Sequence, residues 1–139
     1  MTQPARRDAS PRLGWAVLAA VLMFLAAFGG SRPLTVPDEG RYAEIAREML
    51  VSGDWVTPPL NGVPFLDKPP LFYWLEAAAF SVFGVHVWSA RLVPAILGFL
   101  GSVFVFVAGA RLYNWRTGVL AAILLAANPY YFIASGYVN

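Results

Sequence analysis

Residues 92–110 read LVPAILGFLGSVFVFVAGA, a run of nineteen residues without one charged side chain. Residues 13–31 and 117–139 form two further uncharged runs. A helix of about 20 residues is long enough to cross the roughly 30 Å hydrocarbon core of a bilayer. The whole sequence is 58% hydrophobic and only 13% charged, whereas ordinary soluble domains carry about 25% charged residues. These patterns predict an all-α integral membrane protein with several spans.

The charges beside the uncharged runs predict their orientation. A short basic tail over residues 1–12 precedes the first run, and Arg111 and Arg116 lie between the second and third. Positive residues near span ends favour the cytoplasmic side of a membrane. We therefore expect a cytoplasmic N-terminus and an external loop over residues 32–91. The predicted transmembrane helices are residues 13–31, 92–111 and 117–138.

The first and third predicted spans carry further expectations. The first run is longer than the roughly 7–15 apolar residues of a cleavable signal peptide, so we expect a retained anchor. Asn128-Pro129 should kink the third helix, because proline removes a backbone donor. The sequence ends on this outward-bound helix without a polar tail, which is typical of the N-terminal part of a larger bundle.

Residues 71–90 are apolar enough to suggest a fourth span, but they contain Glu76 and His86. A span here would place the two arginines of the later turn outside the cell and would leave no turn before residue 92. An interfacial helix over residues 70–83 avoids both conflicts. We therefore predict that the loop remains external along its whole length.

Another surface helix is predicted for residues 38–52. Apolar side chains recur there at i, i+3, i+4, i+7 and i+8, which places them on one helical face. They are Tyr42, Ile45, Ala46, Met49 and Leu50. Pro37-Asp38 should begin this helix and Gly53 should end it, while Asn61-Gly62 and several prolines predict a rigid, turn-rich connector. The charged face of the helix should point toward water or a cavity.

Ionisable residues of the loop are concentrated at the starts of the two predicted surface helices. They are Asp38, Glu39, Arg41, Asp67 and Lys68. Charges this close to hydrocarbon are candidate functional residues. A carboxylate can accept a proton from a nucleophile, and an ammonium can bind a phosphate. Simpler roles are a helix cap for Asp38 and a head-group contact for Lys68, and Glu44 with Arg47 should form an ordinary surface pair.

Composition also excludes some classes of function. The arginines lie at span ends rather than on one basic face, so nucleic acid is not an expected partner. The chain has no cysteine, which excludes thiol nucleophiles and thiolate metal sites.

Three segments of the loop closely resemble one family of membrane enzymes. They are PDEGRYAEIAREM at residues 37–49, GDWVTP at 53–58 and NGVPFLDKPPLFYW at 61–74. Together they resemble the N-terminal part of bacterial transferases that add aminoarabinose to lipid A, which belong with the protein O-mannosyltransferases among the GT-C glycosyltransferases. The resemblance covers about residues 13–139. It implies a GT-C helical bundle in the inner membrane that takes a sugar from an undecaprenyl-phosphate carrier on the periplasmic side.

The resemblance also implies roles for residues of the first motif. Asp38 falls on the proposed catalytic base of these enzymes. Glu39, Arg41 and Tyr42 lie within the same motif and would line the same substrate cavity.

The segment at residues 61–74, which we call the second motif, carries the phosphate contact of the family. Lys68 matches the lysine that helps hold the lipid phosphate. Asp67, a further candidate substrate-binding residue, stands where many relatives have glutamate, and its side chain is one methylene shorter. Phe65 stands where an aromatic hydroxyl is often found, and a phosphate hydrogen bond there is not carried over.

We therefore expect a glycosyltransferase that passes a sugar to lipid A or to another envelope lipid, glycan or protein, with membrane lipids around it. No metal or cofactor is expected, because a phosphate is already a good leaving group. Two alternatives remain from the residues alone. One is a polyprenyl-lipid transporter or flippase subunit whose loop charges form a gate, and the other is a non-catalytic membrane scaffold.

Overall fold

The computed structural model describes residues 38–138 together with seven residues before them. Those seven are Gly14, Trp15, Ala19, Val21, Leu22, Pro33 and Leu34. The predicted tail over residues 1–12, and most of the predicted first span over 13–31, lie outside the described residues. The predicted retention of that span as an anchor is therefore untested.

Five helices and one small hairpin make up residues 38–138. The helices are α1 Asp38–Ser52, α2 Leu71–Phe83, α3 Val87–Leu112, α4 Trp115–Ala126 and α5 Pro129–Gly136, and the hairpin strands are β1 Pro59–Leu60 and β2 Val63–Pro64. Helix α1 packs on α2, while α3 packs on α2, α4 and α5. We call α1, the hairpin and α2 the loop layer, and α3, α4 and α5 the span region.

Helix α1 follows the predicted apolar stripe. Ile45, Ala46 and Met49 are fully buried, and they pack with the buried face of α2. The helix ends before Gly53, whose φ of 73° is the left-handed conformation that glycine adopts without strain. The structure therefore confirms the predicted helix and both of its ends, at residues 38 and 52.

The connector after α1 is a tight hairpin. Asn61 and Gly62 both have positive φ, at 54° and 75°, which is the pattern of a type I′ turn. The Glu48 carboxylate of α1 accepts hydrogen bonds from the backbone N–H of Asn61 at 2.7 Å and of Gly62 at 3.1 Å. One side chain of α1 therefore fixes the tip of the connector that leads to the second motif.

Helix α2 has 13 residues, which gives a length of about 20 Å. This is too short to cross a hydrocarbon core of about 30 Å, in agreement with the prediction of a short helix over 70–83 rather than a fourth span. Gly84 ends it with φ of 80°. The position of α2 at the bilayer surface remains a prediction.

Helix α3 is long and apolar enough by itself to cross a membrane, and no other single helix among the described residues is. It begins at Val87, five residues before the predicted start at 92. The prediction took Arg91 as the charged end of a span. Arg91 is instead 1% exposed within the helix, because a carboxylate from α1 neutralises it.

The predicted third span, residues 117–138, is divided into two helices. Helices α4 and α5 are separated at Ala127 and Asn128 and bend by 69°. Asn128 caps α5, since its side chain accepts a hydrogen bond from the backbone N–H of Tyr131 at 3.1 Å. The kink therefore lies where it was predicted, but it breaks the helix completely. The pair would form a second span only as a broken one, so the three-span topology remains a prediction.

Small residues allow the helices of the span region to approach closely. A Cβ added at Gly109 of α3 would lie 2.8 Å from the Cα of Gly118 in α4. A Cβ added at Gly98 of α3 would lie 2.6 Å from the Cβ of Ser135 in α5. Tyr131 donates its hydroxyl hydrogen to the Gly98 carbonyl. These contacts are typical of helices that associate in lipid, where small residues permit close backbone packing.

Candidate functional site

The two loop motifs meet at one face of α1. Asp38, Arg41 and Tyr42 lie at i, i+3 and i+4, so their side chains project from the same face with Cβ atoms about 5–6 Å apart. The Lys68 ammonium lies 4.4 Å from the centroid of the Tyr42 ring. We call these four residues the loop cluster.

Asp38 is the accessible carboxylate of the loop cluster. Its side chain is 48% exposed and lies 3.8 Å from the Arg41 guanidinium. It stands within the first turn of α1, and no backbone N–H of the described residues donates to it. The carboxylate is therefore accessible to a ligand, and the helix-cap role stays a prediction.

Tyr42 of the loop cluster connects α1 to Tyr73 of α2. The rings of Tyr42 and Tyr73 stack, with centroids 6.0 Å apart and planes inclined by 26°. Burial, followed by nearby charges that include the Asp67 carboxylate, raises the pKa of Tyr73 to about 12. Asp67 stands directly before Lys68, in the segment that leads to α2. Tyr73 remains a neutral hydroxyl at any physiological pH.

Glu39 is separated from the other residues of its motif. It is fully buried, and its two oxygens accept hydrogen bonds from Arg91 of α3, at 3.2 Å from Nε and 2.9 Å from Nη2. Arg91 also donates to the Pro33 carbonyl at 2.9 Å, and the Val138 N–H approaches Glu39 at 3.4 Å. The structure thus gives Glu39 a structural partner, and its predicted contact with substrate remains only a prediction.

Glu76 on α2 is a second buried carboxylate in the loop layer. It is fully buried, and neither oxygen has a hydrogen-bond partner in the part of the chain that the structure describes. Burial raises the pKa of Glu76 to about 8. It is therefore mostly protonated at neutral pH and adds no charge to the loop cluster.

The loop cluster combines a carboxylate that can accept a proton with an ammonium that can bind an anion. Across the described residues, no group of three or more histidine, aspartate and glutamate side chains is placed to hold a metal ion. Arg47 pairs with Glu44 through hydrogen bonds of 2.6 and 2.9 Å, which confirms the predicted surface pair.

The helical fold and the two loop motifs agree with the resemblance to the GT-C glycosyltransferases. The family model for dolichyl-phosphate-mannose-protein mannosyltransferases matches residues 67–139, just over half of the chain. The chain belongs to this family. The resemblance predicted from the loop motifs is therefore confirmed.

Curated relatives match nearly the whole chain. An undecaprenyl phosphate-alpha-4-amino-4-deoxy-L-arabinose arabinosyl transferase 2 from Pseudomonas fluorescens is 34% identical over 90% of this chain and 24% of its own length. The corresponding transferase of Pseudomonas savastanoi pv. phaseolicola is 35% identical over 92% of this chain and 24% of its own. The chain thus spans about a quarter of the length of these relatives.

Two solved structures share the fold. ArnT from Cupriavidus metallidurans in the apo state gives a TM-score of 0.81 at 35% identity, covering 94% of this chain and 25% of ArnT. The same protein bound to undecaprenyl phosphate gives 0.86 at 34% identity, covering 94% and 24%. The described helices therefore follow the arrangement of a protein that was solved with undecaprenyl phosphate bound.

Sequence reasoning missed the contacts that three residues make within or against the loop layer. Arg91 was interpreted as the end of a span, Glu76 only as evidence against a fourth span, and Glu48 as part of a charged surface. A signal was present for Arg91: one arginine in an apolar stretch requires a counter-charge, and the second acid of the Asp-Glu motif had no surface partner assigned. Glu76 and Glu48 gave no comparable signal, because their surroundings depend on contacts made by the folded chain.

Proposed function

We propose that this chain forms the donor-binding, N-terminal portion of a glycosyltransferase that uses an undecaprenyl-phosphate-linked sugar. The observation that carries this proposal is the position of Lys68, which brings a cation of the second motif beside the face of α1 that presents Asp38. A polyprenyl-phosphate sugar has one anionic group next to its reactive carbon. A cation and a carboxylate on one accessible face suit that arrangement.

The chemistry requires one proton transfer and one substitution. The Asp38 carboxylate accepts the proton of an acceptor hydroxyl or phosphate as the acceptor oxygen attacks the anomeric carbon of the sugar. The bond between that carbon and the phosphate oxygen breaks, and its electron pair remains on the phosphate. The Lys68 ammonium stabilises the negative charge that develops there. Arg41, 3.8 Å from Asp38, adds a second cation for the donor.

The comparisons support a polyprenyl-phosphate donor. The relatives are named as arabinosyl transferases that use undecaprenyl phosphate-linked aminoarabinose, and the structure with the TM-score of 0.86 contains undecaprenyl phosphate. We propose lipid A as the acceptor class, with other envelope lipids, glycans and proteins as alternatives. Mass spectrometry of lipid A and envelope glycans from a deletion strain identifies the acceptor by the sugar that is lost.

We further propose that the loop layer faces the periplasm at the inner membrane. The proposal is supported by charge bias, which favours the cytoplasm for Arg111 and Arg116 and the outside for the loop of residues 32–91. Reporters fused after Asp54 and after Leu75 should both appear outside, and one fused at Asn114 should appear inside. An outside signal at Asn114 would require a fourth span and would reject this topology.

The enzymatic step is tested by Asp38→Asn in the full-length protein. The amide keeps nearly the same shape but is a poor base, so sugar transfer should fall at least about a hundredfold. Glu44→Gln is the matched control, because Glu44 is also an acid of α1 paired with an arginine three residues later. It should retain activity near that of the wild type. Retained transfer in Asp38→Asn would remove the catalytic-base assignment.

A transporter for the same lipid is the main alternative. It would move the carrier between leaflets without breaking the bond between sugar and phosphate. Release of free undecaprenyl phosphate, measured together with sugar gained by the acceptor, separates the two functions. Carrier movement without that release favours the transporter, and the absence of both favours a scaffold.

A further inference from the structure

Tyr42 of the first motif contacts Lys68 of the second motif. Its ring face lies 4.4 Å from the Lys68 ammonium, well within the distance of about 6 Å at which a cation is attracted to an aromatic face. Tyr42 is only 4% exposed, so the ring is held by its surroundings. The ring therefore restricts the positions that the ammonium can occupy.

The backbone and the side chain of Lys68 differ in freedom. Lys68 precedes Pro69-Pro70, and a residue before proline is restricted to extended conformations. Pro70 in turn stands directly before α2. The lysine backbone is therefore restricted, while its four-carbon side chain remains flexible unless a contact restrains it. A contact that restrains it before the donor binds reduces the entropy that binding must remove.

Tyr73 restrains the ring of Tyr42 in turn. The two rings stack at 6.0 Å, and Tyr73 is 1% exposed in the apolar core between α1 and α2. Because Tyr73 stands five residues after Lys68, the same segment supplies both the cation and the ring that supports its contact. The position of the ammonium thus depends on the packing of α1 against α2.

We propose that Tyr42 is a positioning residue whose ring face holds the Lys68 ammonium in place for the donor phosphate, and that Tyr73 holds the Tyr42 ring. This inference rests on the proposed function, because it assigns the restrained ammonium to the phosphate of a polyprenyl donor. It requires the aromatic ring of Tyr42 and does not require its hydroxyl. It also distinguishes Tyr42 from a residue that merely lines the cavity.

The first experiment measures the affinity of the purified full-length protein for undecaprenyl phosphate. Tyr42→Phe keeps the ring and should bind as the wild type does. Tyr42→Leu removes the ring face and should bind about fivefold more weakly. Lys68→Met serves as the reference variant and should lose most of the affinity. Equal losses in Tyr42→Phe and Tyr42→Leu would assign the contact to the hydroxyl and overturn the inference.

The second experiment keeps the shape of the side chain and changes only its electrostatics. Phenylalanines with one, two and three ring fluorines are incorporated at position 42, because fluorine progressively weakens the negative potential of the ring face. Affinity should fall stepwise along this series, and a merely structural role would leave it unchanged. A flat series together with a loss in Lys68→Met overturns this inference alone. Wild-type affinity in Lys68→Met overturns the inference and also the donor site of the proposed function.

Discussion

The loop layer and the span region differ in the kind of contact that fixes their helices. Charged and polar side chains fix the loop layer: Glu39 of α1 pairs with the buried Arg91 of α3, and Glu48 of α1 contacts the hairpin. In the span region, glycines let the helix backbones approach, as at Gly109 and Gly118. The difference indicates that the loop layer fixes the positions of charges, whereas the span region provides a closely packed support.

The largest effect is expected from breaking the buried ion pair. Arg91→Met removes the guanidinium that contacts both oxygens of the fully buried Glu39. Leaving a buried charge without its partner typically costs about 3–5 kcal/mol of stability. We expect a large drop in the melting temperature of the purified protein.

The control for this prediction is a double-mutant cycle. Arg91→Met combined with Glu39→Gln removes both charges and should be less destabilised than the sum of the two single variants. Additive losses would mean that the two residues do not stabilise each other, and the loop layer would then lack the fixed anchor described above.

The next effect is a pH dependence from Glu76. Its pKa is raised from 4.5 to about 8 by burial, so the folded protein holds a proton that the unfolded chain releases near pH 4.5. The free energy of unfolding is therefore highest below about pH 4.5. It falls as the pH rises from there to about 8, at up to about 1.4 kcal/mol per pH unit. Thermal unfolding between pH 5 and 8 should show this decline, and Glu76→Gln should flatten it. An equal slope in the two proteins would show that Glu76 is not the titrating group.

Two glycine substitutions sharpen the comparison at a smaller scale. Gly109→Ala places a Cβ 2.8 Å from the Gly118 backbone and should cost about 1–3 kcal/mol. Gly40→Ala in α1 meets nothing within 4 Å and should stabilise α1 by about 0.5–1 kcal/mol, since glycine is a poor helix residue. Melting temperatures should therefore move in opposite directions. Destabilisation by Gly40→Ala would show that unrecognised packing covers the first turns of α1.

The sequence predicted the parts of the fold that depend on local patterns. The stripe from Tyr42 to Leu50 and the following Gly53 determine α1, and the short apolar run after Pro70 determines α2. The candidate residues Asp38 and Lys68 were found through their motifs, and the structure places both at one face of α1. Local periodicity and short motifs were sufficient for these features.

Features that depend on distant contacts could not be predicted in the same way. The burial of Arg91 within α3 depends on its pairing with Glu39, 52 residues away in sequence. The complete break between α4 and α5 involves the cap that Asn128 provides, where a kinked but continuous helix was expected. The stacking of Tyr42 on Tyr73 requires the packing of α1 on α2, which periodicity alone does not specify.

The central claim is that the loop cluster binds the phosphate of a polyprenyl donor through Lys68. The most direct measurement is the affinity of the full-length protein for undecaprenyl phosphate at two ionic strengths, with Lys68→Met compared to Lys68→Arg and to Arg47→Met. Arg47 is the matched control, because it is a surface cation of α1 paired with Glu44. We predict that Lys68→Met loses most of the affinity and its salt dependence, that Lys68→Arg retains part of both, and that Arg47→Met binds as the wild type does. Wild-type affinity and salt dependence in Lys68→Met would contradict the account.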